Sequence, residues 1–352
     1  MMHIREATTD DNAELQRLQA RCPLGTTLIV SAVNTPDFFA RAKTYESFKV
    51  FVACEGERIV GSGACAIRQG LVNGEISRVG YEFQYFISPD HRRRGIARQL
   101  HQHIEDYLTQ HDVALSYCLI MEGNRPSMRL FEGQGFKLHR TLVMPGLAIY
   151  REMGLATEGE VRPITSEDLG AVAELLNGTW QDYNLYEPTS AEVLTKFIER
   201  TPAYGFDNLF VLEDQGEILT CLSFWDWSQI TELTVKALNM KIRALGWLLN
   251  IARRFRTLPR IPKAGDRLKQ AVLTPIGFQD PKHLVVLLRH VNNLALQREI
   301  EQVFCVCERD HPLLSSMKGL IRIDTAMHLF VKPLQQDISL DDSLVFIDGI
   351  DL

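Results

Sequence analysis

The sequence predicts an α+β chain of two similar layered domains, each a central sheet flanked by helices, and three observations carry that expectation. The 352 residues exceed one ordinary core and suit two units of about 150 residues. The chain also starts twice. IREATTDD at 4–11 runs into helical spacing through Leu15, Leu18 and Cys22, and VRPITSED at 161–168 runs into the same spacing through Val172, Leu175 and Leu176. Finally, FVACEGERIVGSG at 51–63 and FVLEDQGEILTCL at 210–222 each read as two strands around a Gly-Glu turn, about 45 residues after their respective openings. The expected divisions are 1–153 and 161–333 for the two domains, with a junction near 154–160. Residues 334–352 form a tail whose SLVFIDGI run is apolar enough to dock on the folded chain.

In the first half, Thr and Asp residues cap the opening helix. Strands at about 49–54, 58–67 and 79–88 make a meander, with QGLVNGEISR as the turn region between the last two. A helix from Ile96 to about Gln110 comes next, then the apolar run ALSYCLIM at 114–121, and then Asn124-Arg125-Pro126-Ser127 opening another helix. That helix ends at Gly133-Gln134-Gly135, and Phe136 begins a last strand to about 150. In the second half, residues 229–257 mix apolar positions at helical spacing with Lys236, Lys241, Arg243, Arg253, Arg254 and Arg256 before LPRIP stops the helix. Two readings stand: a helix on its own domain with a solvated basic edge, or a basic amphipathic helix for a membrane surface or acidic partner. AVLTPIGF, a helix near 282–298, EQVFCVCE, a short helix around Pro312–Lys318 and RIDTAMHLFVKP then repeat the order of the first half.

Composition narrows the function classes. Hydrophobic content of 45% and charged content of 23% are those of a globular protein, and no apolar run reaches the length of a membrane span, so no integral membrane segment is expected. The N-terminal MMHIREATTDDNAEL has neither a basic n-region nor an apolar h-region, which makes a cytoplasmic location the expectation. A net charge of −6 argues against a nucleic-acid partner and suits a cationic, amine-bearing small molecule or peptide. A homo-oligomer is compatible with this composition. Seven cysteines without a CxxC pair read as reduced thiols, and Cys305 and Cys307 merely share one face of a strand, so no metal site is expected.

The chemistry concentrates in Tyr81–Ala97, YEFQYFISPDHRRRGIA, a buried strand, a proline turn, an arginine run and a glycine with a helix directly behind it. The first turn of a helix presents unpartnered N–H groups and partial positive charge to an anion. Gly95 lets the backbone approach, while Arg92, Arg93 and Arg94 supply charge for a pyrophosphate. At the corresponding place in the second half stands IGFQDPKHL, without an arginine cluster, so one anion site per chain is expected.

Order and letters together resemble the GNAT acetyltransferases. Arg92-Arg93-Arg94-Gly95-Ile96-Ala97 matches the [QR]xxGx[GA] pattern between a strand and a helix. Asn124, Ser127, Leu130, Phe131, Gly135 and Phe136 match the second family pattern at the expected gap. Across both halves the chain is similar to the HOOKLESS-type acetyltransferases: a Cys-Pro-Leu-Gly stretch at Cys22, the loop Ser88–Ile96, the segment Glu122–Ser127, Asn293–Ala295 and a terminal VFID. The tandem Eis-type enzymes are a more distant parallel. The resemblance implies two GNAT-like domains, each with a mixed, mostly antiparallel sheet, and N-acetyl transfer from acetyl-CoA to an amine by direct attack in the first. It implies that Phe86, Ile87 and Ser88 hold the pantetheine like an added strand. The amides from Arg93 to Ala97 would cradle the pyrophosphate. Asn124, with Ser127 and Phe131 of the same motif, would support the cofactor.

Attack by an amine of pKa about 10.4 needs a base at neutral pH. Glu82 on the cofactor strand and Glu122 at the end of its neighbour are candidates; Glu122 could equally serve the helix that opens after it, and Glu82 a salt bridge. The position commonly held by a proton-donating tyrosine is Phe131, so Tyr117 or Tyr85 is the candidate donor, unless the thiolate leaves unaided. By the Eis-type parallel, the carboxylate of Leu352 is a further candidate base. A non-catalytic acyl-CoA-binding regulator is the alternative to an enzyme.

Overall fold

The computed structural model describes residues 2–155, 159–336 and 338–352, so residues 156–158 of the expected junction lie outside the described part. In the first half the order is β1 (Met2–Glu6), α1 (Asn12–Ala20), β2 (Leu28–Asn34), β3 (Ser47–Glu55), β4 (Arg58–Val72), β5 (Glu75–Ile87), α2 (Ile96–Gln110), β6 (Leu115–Met121), α3 (Arg125–Glu132) and β7 (Lys137–Ala148). The second half begins with β8 (Glu160–Pro163), α4 (Leu169–Trp180), α5 (Ala191–Arg200), β9 (Leu209–Asp214), β10 (Glu217–Ser223), β11 (Trp225–Asp226), β12 (Thr231–Leu238) and α6 (Met240–Ala252). It continues with β13 (Arg267–Leu268), β14 (Gln270–Val272), β15 (Ile276–Phe278), α7 (Pro281–Gln297), β16 (Gln302–Phe304), α8 (Leu313–Ser316) and β17 (Arg322–Pro333).

The repeated openings fold by the same device. Arg5 donates to both carboxylate oxygens of Asp11 at 2.7 Å, and Asp11 also accepts the Thr8 amide at 2.8 Å. Arg162 grips Asp168 at 2.7 and 2.8 Å, and Asp168 accepts the Thr165 amide at 2.7 Å. Each aspartate thus closes a capping box at the entry to α1 or α4 and fixes the preceding strand against it.

The two halves share one sheet. Among the described residues, ten strands run in the order β1-β3-β4-β5-β6-β17-β7-β16-β14-β11. Late strand β17 therefore lies between β6 and β7 of the first half, antiparallel to both. Its Leu329 and Phe330 are fully buried and point to opposite faces, worth about 1.5–3 kcal/mol each against exposure. A second sheet, β15-β10-β9-β8, carries α4 and α7, and a third, β13-β12-β2, joins the halves again.

Two sequence expectations change. QGLVNGEISR is continuous hairpin: β4 and β5 stay in register to Val72 and Glu75, and Asn73-Gly74 alone turns the chain, with φ of 55° and 85°. An Asn-Gly pair with both residues at positive φ is the turn that matches strand twist. The stretch 229–257 is a strand and then a shorter helix, because TELTVKAL alternates and buries Leu233 and Val235 beside β2. No described helix is long and apolar enough to cross a membrane, and all seven cysteines are free and buried.

The tail binds across both halves. Val345, Ile347 and Ile350 are buried, the Val345 amide donates to Glu308 Oε1 at 3.1 Å, and Thr274 Oγ1 donates to Asp348 Oδ1 at 2.7 Å. Gly349 then passes so close to Val272 and Thr274 that a Cβ there would lie 2.6–2.7 Å from their side chains.

Candidate active site

Parallel strands β5 and β6 are paired only at Val79–Tyr81 and Leu115–Tyr117. Beyond that point they separate, while β5 remains paired to β4 on its other edge through Ile87. A bulge opens where Gln84 takes φ 53° between the pairs Ser62↔Phe86 and Ala64↔Phe83. The result is a wedge with its apex at Tyr81 and Tyr117, whose rings stack at 5.1 Å.

At the far end of β5 lies the arginine loop. Gly95 caps α2 at φ 78°, and Arg93 also takes positive φ, 63°. Only glycine adopts such a conformation freely, and the space where a Gly95 Cβ would project is open. The amides from Arg93 to Ala97 donate to no acceptor among the described residues, so they are unpaired donors at a helix N-terminus. Arg92 Nε donates to the Ile87 carbonyl at 3.4 Å, while exposed Arg94 lies 3.7 Å from Glu55. Ile96 is buried and seats the helix on β4. Of the three residues expected to meet an extended ligand, Ser88 commits its amide to Val60 at 2.9 Å. The Ile87 carbonyl also accepts the Cys22 thiol at 3.3 Å, and Phe86 is buried against Phe38.

On the α2 face of the wedge, Glu82 is 2% exposed and accepts three hydrogen bonds, from the Tyr85 phenol at 2.5 Å, Ser116 Oγ at 2.8 Å and His101 Nδ1 at 3.0 Å. The far nitrogen of His101 lies 3.0 Å from Glu105, which accepts Lys332 Nζ from β17 at 2.6 Å. Phe131 packs edge-to-face on Tyr85, with centroids 5.3 Å apart. Burial and the neighbouring Glu82 push the Tyr85 phenol well up, so it holds its proton.

On the opposite face the tail arrives at the apex. Asp351 is 1% exposed; Tyr45 donates to Oδ1 at 2.7 Å, Tyr117 to Oδ2 at 2.8 Å, and Arg68 lies 3.7 Å away. The Asp351 main-chain carbonyl accepts Tyr81 Oη and, at 2.8 Å, Arg41 Nη2. Burial raises the Asp351 carboxyl above the usual range, against the pull of Arg68. Tyr117 is thereby engaged, since it donates to Asp351 and accepts Arg68 Nε at 2.9 Å.

The structure thus gathers Glu82 with Tyr85 and Phe131 on one face, and Tyr117 with the tail on the other. It keeps Glu122 apart: exposed at the end of β6, that residue bonds through its amide to Ala326, at 2.9 Å. Asn124 rather than Glu122 caps α3, accepting the Ser127 amide at 3.4 Å. Leu352 is half-buried, one residue beyond Asp351. Sequence reasoning missed Asp351, Tyr45, Arg41 and Arg68, and only the apolar tail hinted that an acid was being carried inward. In the second half the N-terminus of α7 is capped by Asp280, whose carboxylate takes the Lys282 amide at 2.9 Å, which leaves an anion poorly accommodated there.

Residues 13–136 match the acetyltransferase (GNAT) family model. No curated protein matches the sequence. Among solved structures, Saccharomyces cerevisiae N-myristoyltransferase with bound myristoyl-CoA is similar over 98% of this chain and 89% of that one, with a TM-score of 0.66 and 13% identity. A GCN5-related N-acetyltransferase from Anabaena variabilis matches 95% of this chain and 73% of its own, with a TM-score of 0.54 and 12% identity. A probable N-acyltransferase of unknown function from Enterococcus faecalis has the same coverages, a TM-score of 0.53 and 8% identity. The fold is therefore of the GNAT type, mixed and mostly antiparallel with flanking helices. Residues 13–136 thus form a domain of the acetyltransferase (GNAT) family type.

Proposed function

We propose, from the premise that this chain carries a domain of the GNAT family type, that it transfers an acetyl group from acetyl-CoA to the amine of a small molecule or peptide in the cytoplasm. The observation that carries this reading is the wedge between β5 and β6, with unpaired amides at one end and a buried acid at its apex. Arg93 to Ala97 offer the donors a pyrophosphate needs, and the edge of β5 left unpaired beyond Tyr81 suits a pantetheine arm, which would share the Ile87 carbonyl with Cys22 and Arg92. Within the superfamily, Cys22–Gly25 and the terminal VFID favour a HOOKLESS-type subgroup. Asp280 closing the N-terminus of α7 supports a single anion site, in the first half, with the second half (161–333) read as degenerate beside a catalytic first one (1–153).

A bound acyl-CoA would supply an activated thioester carbon. Asp351, its carboxyl raised by burial, accepts a proton from the incoming amine directly or through water, and Tyr45 and Tyr117 hold it in place. Tyr85, the phenol beside Phe131, gives its one hydrogen to Glu82 and holds it, so the thiolate departs unaided and takes its proton from water. Glu122 has no part in this scheme. Leu352 acts by seating Asp351.

The test is turnover of acetyl-CoA with an amine panel, read as free thiol and as acetylated product, alongside stoichiometry of acetyl-CoA binding. One site per chain, lost in Gly95→Asp, and amine-dependent thiol release are expected; two sites or none would refute the reading. If a longer-chain acyl-CoA turns over faster, the donor assignment changes while the class stands. A second reading, a non-catalytic acyl-CoA-binding regulator, draws on the missing hydroxyl at Phe131; tight binding with no turnover on any amine would establish it.

A further inference from the structure

Helix α6 and the turns at its C-terminal end leave a large apolar surface uncovered. Met240 and Phe255 are each 83% exposed, Trp247 66%, Leu248 56% and Ile251 43%. At 3.6 residues per turn, Met240, Trp247, Leu248 and Ile251 fall on one stripe, which Phe255 extends through the terminal turns. The other side of the helix rests on the segment leading to β13, Gly246 lying beside Ile261. By the same period Lys241 borders one edge of the stripe, and Arg243 and Arg254 the other.

Charge selects the occupant. From Leu233 to Gly265 there are eight lysines and arginines and no acid, in a chain whose net charge is −6. Among the described residues, Lys241, Arg243, Arg253, Arg254 and Arg256 have no acidic partner within salt-bridge distance. A polar partner would leave the exposed tryptophan and phenylalanine without a role, and a neutral apolar one the arginines. We infer that α6 and its C-terminal turns are a peripheral docking surface for an anionic lipid bilayer, the apolar stripe entering the interface and the basic borders meeting lipid phosphates and carboxylates.

The surface is tied to the wedge. The Asn239 amide, at the foot of α6, donates to the Thr27 carbonyl at 3.0 Å, and neighbouring Thr26 lies against Gly123 between β6 and α3. The foot of α6 therefore stands beside the end of β6, where β5 and β6 have parted.

The experiment is co-sedimentation of the full chain with vesicles of phosphatidylcholine alone or carrying about one third phosphatidylserine, combined with tryptophan emission. Trp180 and Trp225 are buried and Trp227 is half-buried, so a blue shift on vesicle addition reports Trp247. Binding to the anionic vesicles, weakened by salt, is expected. Its partition coefficient should fall on the order of 100-fold in the triple variant Lys241→Gln, Arg243→Gln, Arg254→Gln, which removes the three charges that border the stripe. Trp247→Phe should abolish the blue shift while keeping sedimentation. All these side chains are exposed, so unchanged circular dichroism and amine turnover certify folding. Equal binding to both vesicles, no binding, or unchanged binding of the triple variant overturns the inference. So does a stable dimer that shields Trp247 without lipid.

Discussion

At the scale of the residue, the decisive group is Asp351. A carboxylate enclosed by Tyr45, Tyr117 and Arg68 has a strong reason to be there, because an acid 1% exposed is costly unless several donors face it. Asp351→Asn should lower kcat by about 10²–10⁴ with acetyl-CoA affinity unchanged, as for loss of a general base. In the parent protein kcat/KM should rise with pH along a limb lying above the ordinary carboxylate range, since the raised group must lose its proton to act; the variant should lack that limb. The sign for stability is opposite. A carboxyl raised by folding contributes most when protonated and loses that contribution as pH rises through its folded value, so the variant should keep its Tm at neutral pH. A matching fall in Tm and kcat would make Asp351 structural. Arg92 to Ala97 were legible in the sequence because a helix N-terminus is a local structure. Asp351 was not, because its donors come from β4, β5, β6 and the turn before β3, and no spacing in the chain records that meeting.

At the scale of the element, boundaries tracked local chemistry wherever such chemistry existed. Helix α2 runs from Ile96 to Gln110 as its spacing predicts, because Gly95 starts it and its apolar face is continuous through Leu100, Ile104 and Leu108. The strand β12 was hidden by the helical spacing of α6 directly beyond it. The duplicated capping boxes give a direct test. Asp168→Ala removes a bidentate arginine contact and the Thr165 cap, and should cost about 1–2 kcal/mol in denaturant unfolding. The partners also hold the Asp168 carboxyl well below its usual range, Arg162 being the main cause, so this stabilisation is present above the unfolded value and fades as pH falls toward the folded one. Asp11→Ala should behave alike in the first half. If either change is neutral, the boxes are incidental to the entry of their helices.

At the scale of the whole molecule, β17 governs. It stands between β6 and β7, and without it both would face an empty lane with Leu329 and Phe330 missing from two cores. A fragment of residues 1–153 should therefore fail to give a cooperative unfolding transition, while the full chain should unfold in a single one by circular dichroism and by tryptophan emission together. Two separated transitions would show that the halves are stable apart. The sequence by itself determined the α+β class, the doubled opening, the order of most elements and the single arginine loop, because periodicity, caps and a glycine at positive φ act over a few residues. Only the tertiary structure decided that a late strand completes the early sheet and that the tail lays an acid at the apex of the wedge. Strand periodicity says which face of a strand is buried, and never which strand lies beside it.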